Sequence, residues 1–176
     1  MPAQHLAQVA QADAKVRGDL DERGSPFVAC KSAEHPGWAA PAQAALDEAV
    51  RHTSSREQFG TPLARLGPVP AMLARSWTDI EMARSLTYRA AAASARDPLA
   101  NLYLSSMAKV AATEISGQVV DRAVQVMGRF GLVRGSLIER LYREARPMRI
   151  YEGATEVILD SLARQLVKRH SGGSQP

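Results

Sequence analysis

The sequence predicts an all-α fold, an antiparallel four-helix bundle with one short extra helix. Three observations support this prediction. Apolar residues recur at i, i+3 and i+4 in several long segments, which is the helical period. Alanine is abundant and aromatic residues make up only 5% of the chain, a composition that favours closely packed helices over a sheet. No segment longer than a few residues alternates with the period of a strand.

The 176 residues divide into an extension, a bundle and a tail. Residues 1–37 are expected to be an N-terminal extension or linker, partly helical over residues 1–20, because prolines and glycines without a clear period follow. Residues 38–170 are predicted to form the bundle. Residues 171–176 are rich in Ser, Gly, Gln and Pro, and we expect a disordered tail.

The first two bundle helices are predicted from their apolar faces and their ends. The first runs from residue 38 to near Gly60, where a glycine ends the pattern. The second runs from Val69 to near Asp97, because the following proline disfavours helix in the residue before it. The residues expected to face inward are Ala44, Ala45, Ala49, Val50 and Phe59 in the first helix, and Val69, Met72, Leu73, Ser76, Ile80, Ala83, Leu86 and Ala90 in the second.

Three more helices follow. Asp97 can cap a third helix over residues 99–127, with Pro98 at its first position. After a glycine-bearing break at residues 128–136, a short amphipathic helix covers residues 137–145, and the last helix covers residues 153–168. The expected inward residues are Leu102, Ser106, Val110, Thr113, Gly117, Val120, Val124 and Met127 in the third helix, and Val157, Ile158, Leu162 and Leu166 in the last.

Composition excludes several classes of protein. The single Cys30 excludes an internal disulfide and any multi-cysteine metal site, which fits a reducing compartment. No run of 18 apolar residues and no signal-peptide pattern is present, so we expect a cytoplasmic protein without membrane insertion. The net charge of +4 suits either nucleic acid or phosphate-rich ligands such as coenzyme A or a dinucleotide. No nucleic-acid motif accompanies that charge, and we predict no nucleic-acid partner.

Self-contained hydrolytic or metal chemistry is not expected. The chain has no P-loop, no Gly-rich nucleotide fingerprint and no His/Glu metal pattern, and we predict no metal site. No serine lies in a nucleophile-elbow pattern. The histidines share no helical spacing, and we interpret all four as surface residues: His5, His35, His52 and His170.

The most informative stretch is Ile150-Tyr151-Glu152-Gly153-Ala154-Thr155-Glu156. Ile150 and Tyr151 offer apolar cover that could desolvate Glu152 and raise its pKa toward that of a general base. Gly153 would let the backbone and a flat ligand come close to this carboxylate. The alternative interpretation is that Glu152 is a first-turn acid stabilised by the dipole of the last helix. The stretch alone leaves both open.

Three further strings combine charged or amide side chains with glycines or helix ends. They are Arg56-Glu57-Gln58-Phe59-Gly60, Gln125-Val126-Met127-Gly128-Arg129-Phe130-Gly131 and Glu139-Arg140-Leu141-Tyr142-Arg143-Glu144-Ala145-Arg146. Backbone amides of the second string could meet a pyrophosphate or ribose. Each string also has a structural interpretation: a cation at a helix C-terminus, a glycine that ends a helix, and an exposed salt-bridged helix.

These four strings, in this order and at about these separations, resemble the C-terminal helical domain of the acyl-CoA dehydrogenase family. The resemblance covers roughly residues 38–168. Ala45-Leu46-Asp47-Glu48-Ala49 before the first string and Ala108-Lys109 in the third helix are also similar to that family. The resemblance implies a flavin-dependent oxidoreductase of acyl-CoA metabolism, with an acyl-CoA substrate and FAD.

The resemblance also implies site roles. Glu152 matches the base that removes the pro-R α-proton of the thioester, while the β-hydrogen leaves as hydride to the flavin. Tyr151 and Gly153 are the expected substrate contacts. The expected FAD contacts are Arg56 at the pyrophosphate across a subunit interface, Gln58 and Phe59 against the same cofactor, Gln125, Gly128 and Gly131 at the adenosine half of a neighbour's FAD, and Thr155 and Glu156 nearby.

Three departures from the family pattern shape the hypotheses. Arg129 stands where a second glycine is usual, and Ala154 stands where a threonine commonly contacts FAD, although Thr155 is adjacent. The third is length, because 176 residues leave no room for the family's N-terminal helical domain and middle β-domain. We therefore expect a homo-oligomer or a partner chain that carries those domains and most of the FAD site, with weak or no FAD binding by the isolated chain. A non-catalytic oligomerisation or binding module and a truncated fragment are the alternatives.

Overall fold

The computed structural model describes residues 40–171, which form a helical bundle. Its helices are α1 (Ala40–Ser55), α2 (Val69–Ser94), α3 (Leu102–Met127), α4 (Leu137–Ala145) and α5 (Thr155–Ser171). The predicted all-α fold with one short extra helix is confirmed, and α4 has the predicted bounds. The expectations for residues 1–37 and for the tail after Ser171 lie outside the described residues.

Helix α3 is the centre of the bundle, since it packs against each of the other four helices. Small side chains line its buried face, which allows neighbouring backbones to approach closely. One core cluster joins α1, α3 and α4 and comprises Ala45, Ala49, Val120, Ala123, Met127, Ile138, Leu141, Ala145 and Met148. A second joins α1, α2 and α3 through Ala42, Leu46, Ile80 and Val119. A third joins α2 to the start of α3 through Ala90, Leu104 and Ala108.

The prediction that the first helix extends to Gly60 without any strand was wrong. Helix α1 ends at Ser55, and a short antiparallel hairpin follows, with β1 (Glu57–Gln58) paired to β2 (Thr61–Pro62). Phe59 and Gly60 connect the strands with φ of 53° and 74°. Positive φ at both central residues defines a type I′ turn, whose twist suits a two-residue hairpin loop. A helix cannot continue through two such residues.

The predicted inward face of α3 was only partly right. Thr113, Val120 and Met127 are buried, whereas Leu102 is exposed and the remaining predicted residues are half-buried. The buried face also includes Leu104, Ser105, Ala108, Lys109, Ala112, Ser116, Val119 and Ala123. The difference arises because α3 is contacted from several sides, so small side chains occupy the closest helix contacts and larger ones flank them.

The predicted inward faces of α1 and α5 also need correction. Val50 is 43% exposed. Phe59 is 96% exposed, because α1 ends at Ser55 and Phe59 lies at the tip of the hairpin that follows. In α5, Ile158 and Leu162 are half-buried, but Val157 and Leu166 are 66% and 59% exposed. Helix α5 therefore lies on the outside of the bundle with apolar side chains facing solvent.

Helix α5 runs antiparallel to α3. The Thr155 hydroxyl at its start donates to Glu114 Oε1 at 2.9 Å, in the middle of α3. Near its end, the Arg169 guanidinium lies 3.8 Å from the ring centroid of Tyr103, close to the start of α3. No helix among residues 40–171 combines the length and apolar character needed to cross a bilayer.

The prediction that Asp97 caps the third helix was wrong, because α3 begins at Leu102 and its N-cap residue is Asn101. The Asp97 carboxylate accepts the Ala100 N–H at 3.0 Å, and the Asn101 amide donates to the Ala93 carbonyl at 3.1 Å. These bonds stabilise a short turn over residues 98–101 that α3 follows from Leu102. Side-chain bonds to nearby backbone compete with helix at this point.

Candidate functional site

The Glu152 turn, residues 150–154, joins the short 3-10 helix Pro147–Arg149 to α5. Glu152 has φ of 55° and Gly153 has φ of 103°. A non-glycine residue at positive φ is uncommon and stores backbone strain that the surrounding structure must hold in place. Glu152 is exposed and precedes α5, whose first-turn acid is Glu156. The interpretation of Glu152 as the first-turn acid is therefore wrong.

Gly153 is required here for two reasons. Its φ of 103° is rarely adopted by residues with a side chain. A Cβ at this position would also lie 3.2 Å from Ile158 Cδ1, which is tighter than ordinary van der Waals contact. The glycine thus allows the turn to pack directly on the first turns of α5.

The expected apolar cover of Glu152 is not provided by its neighbours. Ile150 is 57% exposed and Tyr151 is 47% exposed. Within the part of the chain that the structure describes, Glu152 remains on the surface. Desolvation of this carboxylate would have to come from a surface that packs against the turn.

Beneath the turn lies Lys109, a charged side chain buried in α3. It is 1% exposed, and its Nζ donates to the Gly153 carbonyl at 2.7 Å. Burial lowers the pKa of Lys109 below its ordinary 10.5, while the negative charges of Glu152, Glu114 and Glu156 act in the opposite direction. Sequence reasoning noted Lys109 only as part of a family-like string and missed this contact. Its position between the small residues Ser105, Ala108 and Ala112 on one helix face was the available signal.

A second set of contacts holds the two ends of the turn to α3. Glu114 accepts the Thr155 hydroxyl at 2.9 Å and an Arg149 Nη1–H at 3.0 Å. The Arg149 guanidinium also lies over Gly117, where a Cβ would be 3.8 Å away. Thr155 is 8% exposed and its hydroxyl donates to Glu114, while its expected contact with FAD stays a prediction.

The Arg56 string and the Gln125 string meet at another surface. We call it the Phe130 surface, and it comprises His52, Arg56, Arg129 and Phe130. The Arg56 and Arg129 guanidinium carbons lie 5.9 Å and 5.0 Å from the Phe130 ring centroid, and the His52 ring centroid is 5.3 Å away. Neither arginine is in an ion pair with a carboxylate of residues 40–171. The surface is therefore cationic and aromatic.

His52 corrects part of the expectation for the histidines. It is half-buried against Phe130, and this burial lowers the pKa of His52 below 6.5, although Glu48 acts in the opposite direction. His170 is exposed, as expected. His5 and His35 lie outside the described residues.

The remaining predicted cofactor residues lie on exposed segments or serve packing. Gln58 and Gln125 are exposed. Gly128 ends α3 with φ of 57°, so the interpretation as a terminating glycine holds. Gly131 is buried, and a Cβ there would lie 3.0 Å from the Val124 Cα, so close packing on α3 requires this glycine.

The third string has a structural role. The Ser136 hydroxyl caps α4 by accepting the Glu139 N–H at 3.3 Å, and Glu139 accepts the Gly135 N–H at 3.3 Å. Arg143 pairs with Glu139 at 2.6 Å, and this hydrogen bond lowers the pKa of Glu139. The interpretation as an exposed, salt-bridged helix holds for this string.

The Glu152 turn and the Phe130 surface lie at different levels of α3. The turn contacts α3 at Lys109, whereas Phe130 follows directly after the end of α3. Met127 comes 18 residues after Lys109, which corresponds to about 27 Å along a helix. The fold therefore brings the first two strings together but keeps them apart from Glu152.

Comparison with known proteins places this architecture in a class. The model of the family described as acyl-CoA dehydrogenase, C-terminal domain, matches residues 35–167. The chain therefore belongs to the acyl-CoA dehydrogenase family and comprises its C-terminal helical domain.

Among curated relatives, a cyclohex-1-ene-1-carbonyl-CoA dehydrogenase of Geobacter metallireducens is 44% identical over 117 residues, which are 66% of this chain and 30% of the relative. The mitochondrial short-chain specific acyl-CoA dehydrogenase of Sus scrofa is 38% identical over 130 residues, which are 73% of this chain and 31% of the relative. The chain thus spans about a third of the length of the relatives it matches.

Solved structures show the same similarity. The butyryl-CoA dehydrogenase of Megasphaera elsdenii matches 79% of this chain and 36% of its own with a TM-score of 0.73 and 31% identity. A glutaryl-coenzyme A dehydrogenase in complex with glutaryl-CoA matches 81% of this chain and 36% of its own with a TM-score of 0.75 and 29% identity.

Proposed function

We propose that the chain is the helical part of a flavin-dependent acyl-CoA dehydrogenase and that Glu152 is its catalytic base. The observation that supports this proposal is the exposure and backbone conformation of Glu152. An exposed carboxylate lies at positive φ on a turn that buried and charged side chains of α3 hold from beneath. Strain of this kind is characteristic of functional sites.

In the proposed reaction, the Glu152 carboxylate accepts the α-proton of an acyl-CoA thioester. The electrons of the broken Cα–H bond form the Cα=Cβ double bond, and the β-hydrogen leaves with its electron pair. FAD, when bound, supplies the acceptor for that hydride. Tyr151 and Gly153, on either side of Glu152, are the proposed substrate contacts, and the substrate with its surroundings would cover the exposed carboxylate.

The residues proposed to hold FAD fit the chemistry of its pyrophosphate and aromatic parts. Arg56 lies outside any ion pair with residues 40–171, so its forked donors are available to a phosphate. Phe59 is 96% exposed at the tip of the hairpin, and Gln58 and Gln125 are exposed amides. These side chains suit one side of the cofactor only, so we propose that protein outside these 176 residues holds most of it.

The separation along α3 supports contacts with two different active sites. The Phe130 surface with Gln58, Phe59 and Gln125 would contact the FAD of a neighbouring subunit, while Glu152 would act in the active site of its own subunit. About 27 Å along α3 separates the two groups of residues, which supports their action at two different active sites.

The first test is flavin content. The chain purified alone should be colourless, and a complex with the protein that supplies the other domains should show flavin absorbance. Stoichiometric flavin in the chain alone would contradict the shared site. A chain that forms a complex without flavin would favour a non-catalytic binding module, which Arg129 and Ala154 also favour as departures from the family pattern.

The second test is turnover. In the complete enzyme, Glu152→Gln should lower enoyl-CoA formation with an artificial electron acceptor by about 10²–10⁴-fold, because the amide has no basic lone pair. Flavin content should be unchanged. Asp160→Asn, at an exposed carboxylate on α5 that pairs with Arg164, is the matched control and should leave most turnover intact if Glu152 is the base.

A further inference from the structure

The Gly153 carbonyl is held by a buried charge, which is a costly way to make one hydrogen bond. Lys109 is 1% exposed, and its ammonium reaches the carbonyl at 2.7 Å from the neighbouring helix. Removal of an ammonium from water is unfavourable unless it is paired. A methionine or leucine at this position would fill the bundle without that cost. The structure therefore retains a charged group where packing alone does not need one.

The contact is made at the residue that follows Glu152. Glu152 and Gly153 both have positive φ, which lies outside the regular helix and strand regions and stores strain that the surrounding structure must hold in place. The Ile150 and Tyr151 N–H groups both donate to the Pro147 carbonyl, which fixes the chain before the turn. The Gly153 carbonyl fixes it after Glu152. The orientation of the carboxylate thus depends on an anchor at each side.

The Glu114 cluster stabilises the flanks of the same turn. Arg149 and Thr155 both donate to Glu114, so its negative charge is used by the residues immediately before and after the turn. Glu114 and Lys109 lie on the same helix, five residues apart. Lys109 and Glu114 therefore share one rigid element, α3, and move as a unit.

We propose that Lys109 is a positioning residue for Glu152: its buried ammonium holds the Gly153 carbonyl and, with the Glu114–Arg149–Thr155 cluster, fixes the turn that presents the carboxylate. This role rests on the proposed function of Glu152 as base. Lys109 contacts the backbone of the turn at the Gly153 carbonyl, and the proposed role acts through this contact.

The first measurement uses the chain itself. Lys109→Met keeps the length of the side chain and removes the donor, so the Gly153 carbonyl carbon should shift in the NMR spectrum. The Ile150 and Tyr151 amides, which donate to the Pro147 carbonyl, should exchange with solvent roughly tenfold faster. The reason is that the turn loses the hydrogen bond from the charged Lys109 donor to the Gly153 carbonyl. Val119→Ala is the matched control, since it disturbs the buried face of α3 in the cluster with α1 and α2, ten residues beyond Lys109, and should leave both signals in place. If Lys109→Met does not fold, Lys109→Gln carries the same measurement.

The second measurement uses the complete enzyme. Lys109→Met should lower kcat by about 10²-fold, because a small displacement of a catalytic group has an effect of this size. The KM and the flavin content should stay within twofold of the wild type, which a general loss of structure would not allow. Val119→Ala should retain turnover well below its unfolding temperature.

The outcomes separate this inference from the proposed function. An unchanged Gly153 signal with unchanged exchange would overturn the role of Lys109 even if Glu152→Gln abolishes turnover. A mobile turn with unchanged kcat would overturn it as well. A turn that becomes mobile in Lys109→Met, together with a complete wild-type enzyme that forms no enoyl-CoA, would leave the anchor established and the proposed function wrong.

Discussion

At the scale of single residues, the Glu152 turn depends on backbone conformations that few amino acids adopt. Gly153 has φ of 103° and lies against Ile158. Gly117 is also a glycine beside the same region, but it lies within α3, where a Cβ would meet only the Arg149 side chain at 3.8 Å. The two glycines therefore have opposite consequences when they are substituted.

Gly153→Ala should destabilise the protein by about 1–3 kcal/mol, because alanine is strained at this φ and its Cβ presses on Ile158. Gly117→Ala should stabilise it by about 1 kcal/mol, since alanine is the better helix former. Urea unfolding of both variants measures the difference. Equal midpoints for the two variants would contradict the described turn.

The pH dependence of stability should report the buried Lys109. Its pKa is lowered in the folded state, so between that pKa and 10.5 the unfolded state binds more protons than the folded state. Stability contributed by this site therefore rises with pH through that window. The free energy of unfolding of the wild type minus that of Lys109→Met, measured in urea from pH 7 to pH 11, should increase. A flat difference would show that Lys109 is not buried as described.

At the scale of elements, the hairpin after α1 places an aromatic side chain in solvent at a strained position. Phe59 is 96% exposed and has φ of 53°. Asparagine is the preferred residue before glycine in a type I′ turn. An exposed phenylalanine in its place gains nothing from burial within residues 40–171, and this supports a role in contact with a cofactor or another chain.

Phe59→Asn should raise the free energy of unfolding of the isolated chain, by an amount on the order of 1 kcal/mol, because it relieves the left-handed strain. Phe59→Val should lower it, since a β-branched residue tolerates this conformation poorly. Thermal unfolding compares the three proteins. In the complete enzyme, both variants should bind FAD more weakly than the wild type.

The helices could be predicted from the sequence, whereas several details of the site could not. Periodic apolar residues with proline and glycine at the ends located α2 and α4 closely, and Glu152 beside Gly153 indicated an unusual turn. The hairpin was missed because Phe59 is not a residue expected at positive φ. The small residues beside Lys109 on one face of α3 could have indicated its burial, but its contact with the Gly153 carbonyl depends on packing between distant segments, which local spacing does not reveal.

At the scale of the whole molecule, helix α5 exposes several large apolar side chains. Val157, Leu166 and Val167 are 66%, 59% and 65% exposed. We expect the 19.0 kDa chain to associate with itself or with a partner through exposed apolar surface. Light scattering at micromolar concentration should give a mass above that of the monomer. Leu166→Glu should reduce association while circular dichroism stays helical, and a monodisperse monomeric wild type without any partner would contradict the expectation.

If Glu152 removes the α-proton of an acyl-CoA thioester, proton exchange at that carbon reports its action directly. The complete enzyme in D₂O should incorporate deuterium at Cα of a bound acyl-CoA, as measured by mass spectrometry. Glu152→Gln, with the same flavin absorbance, should slow this exchange by about 10²-fold or more. Exchange at the wild-type rate in Glu152→Gln would show that another group is the base.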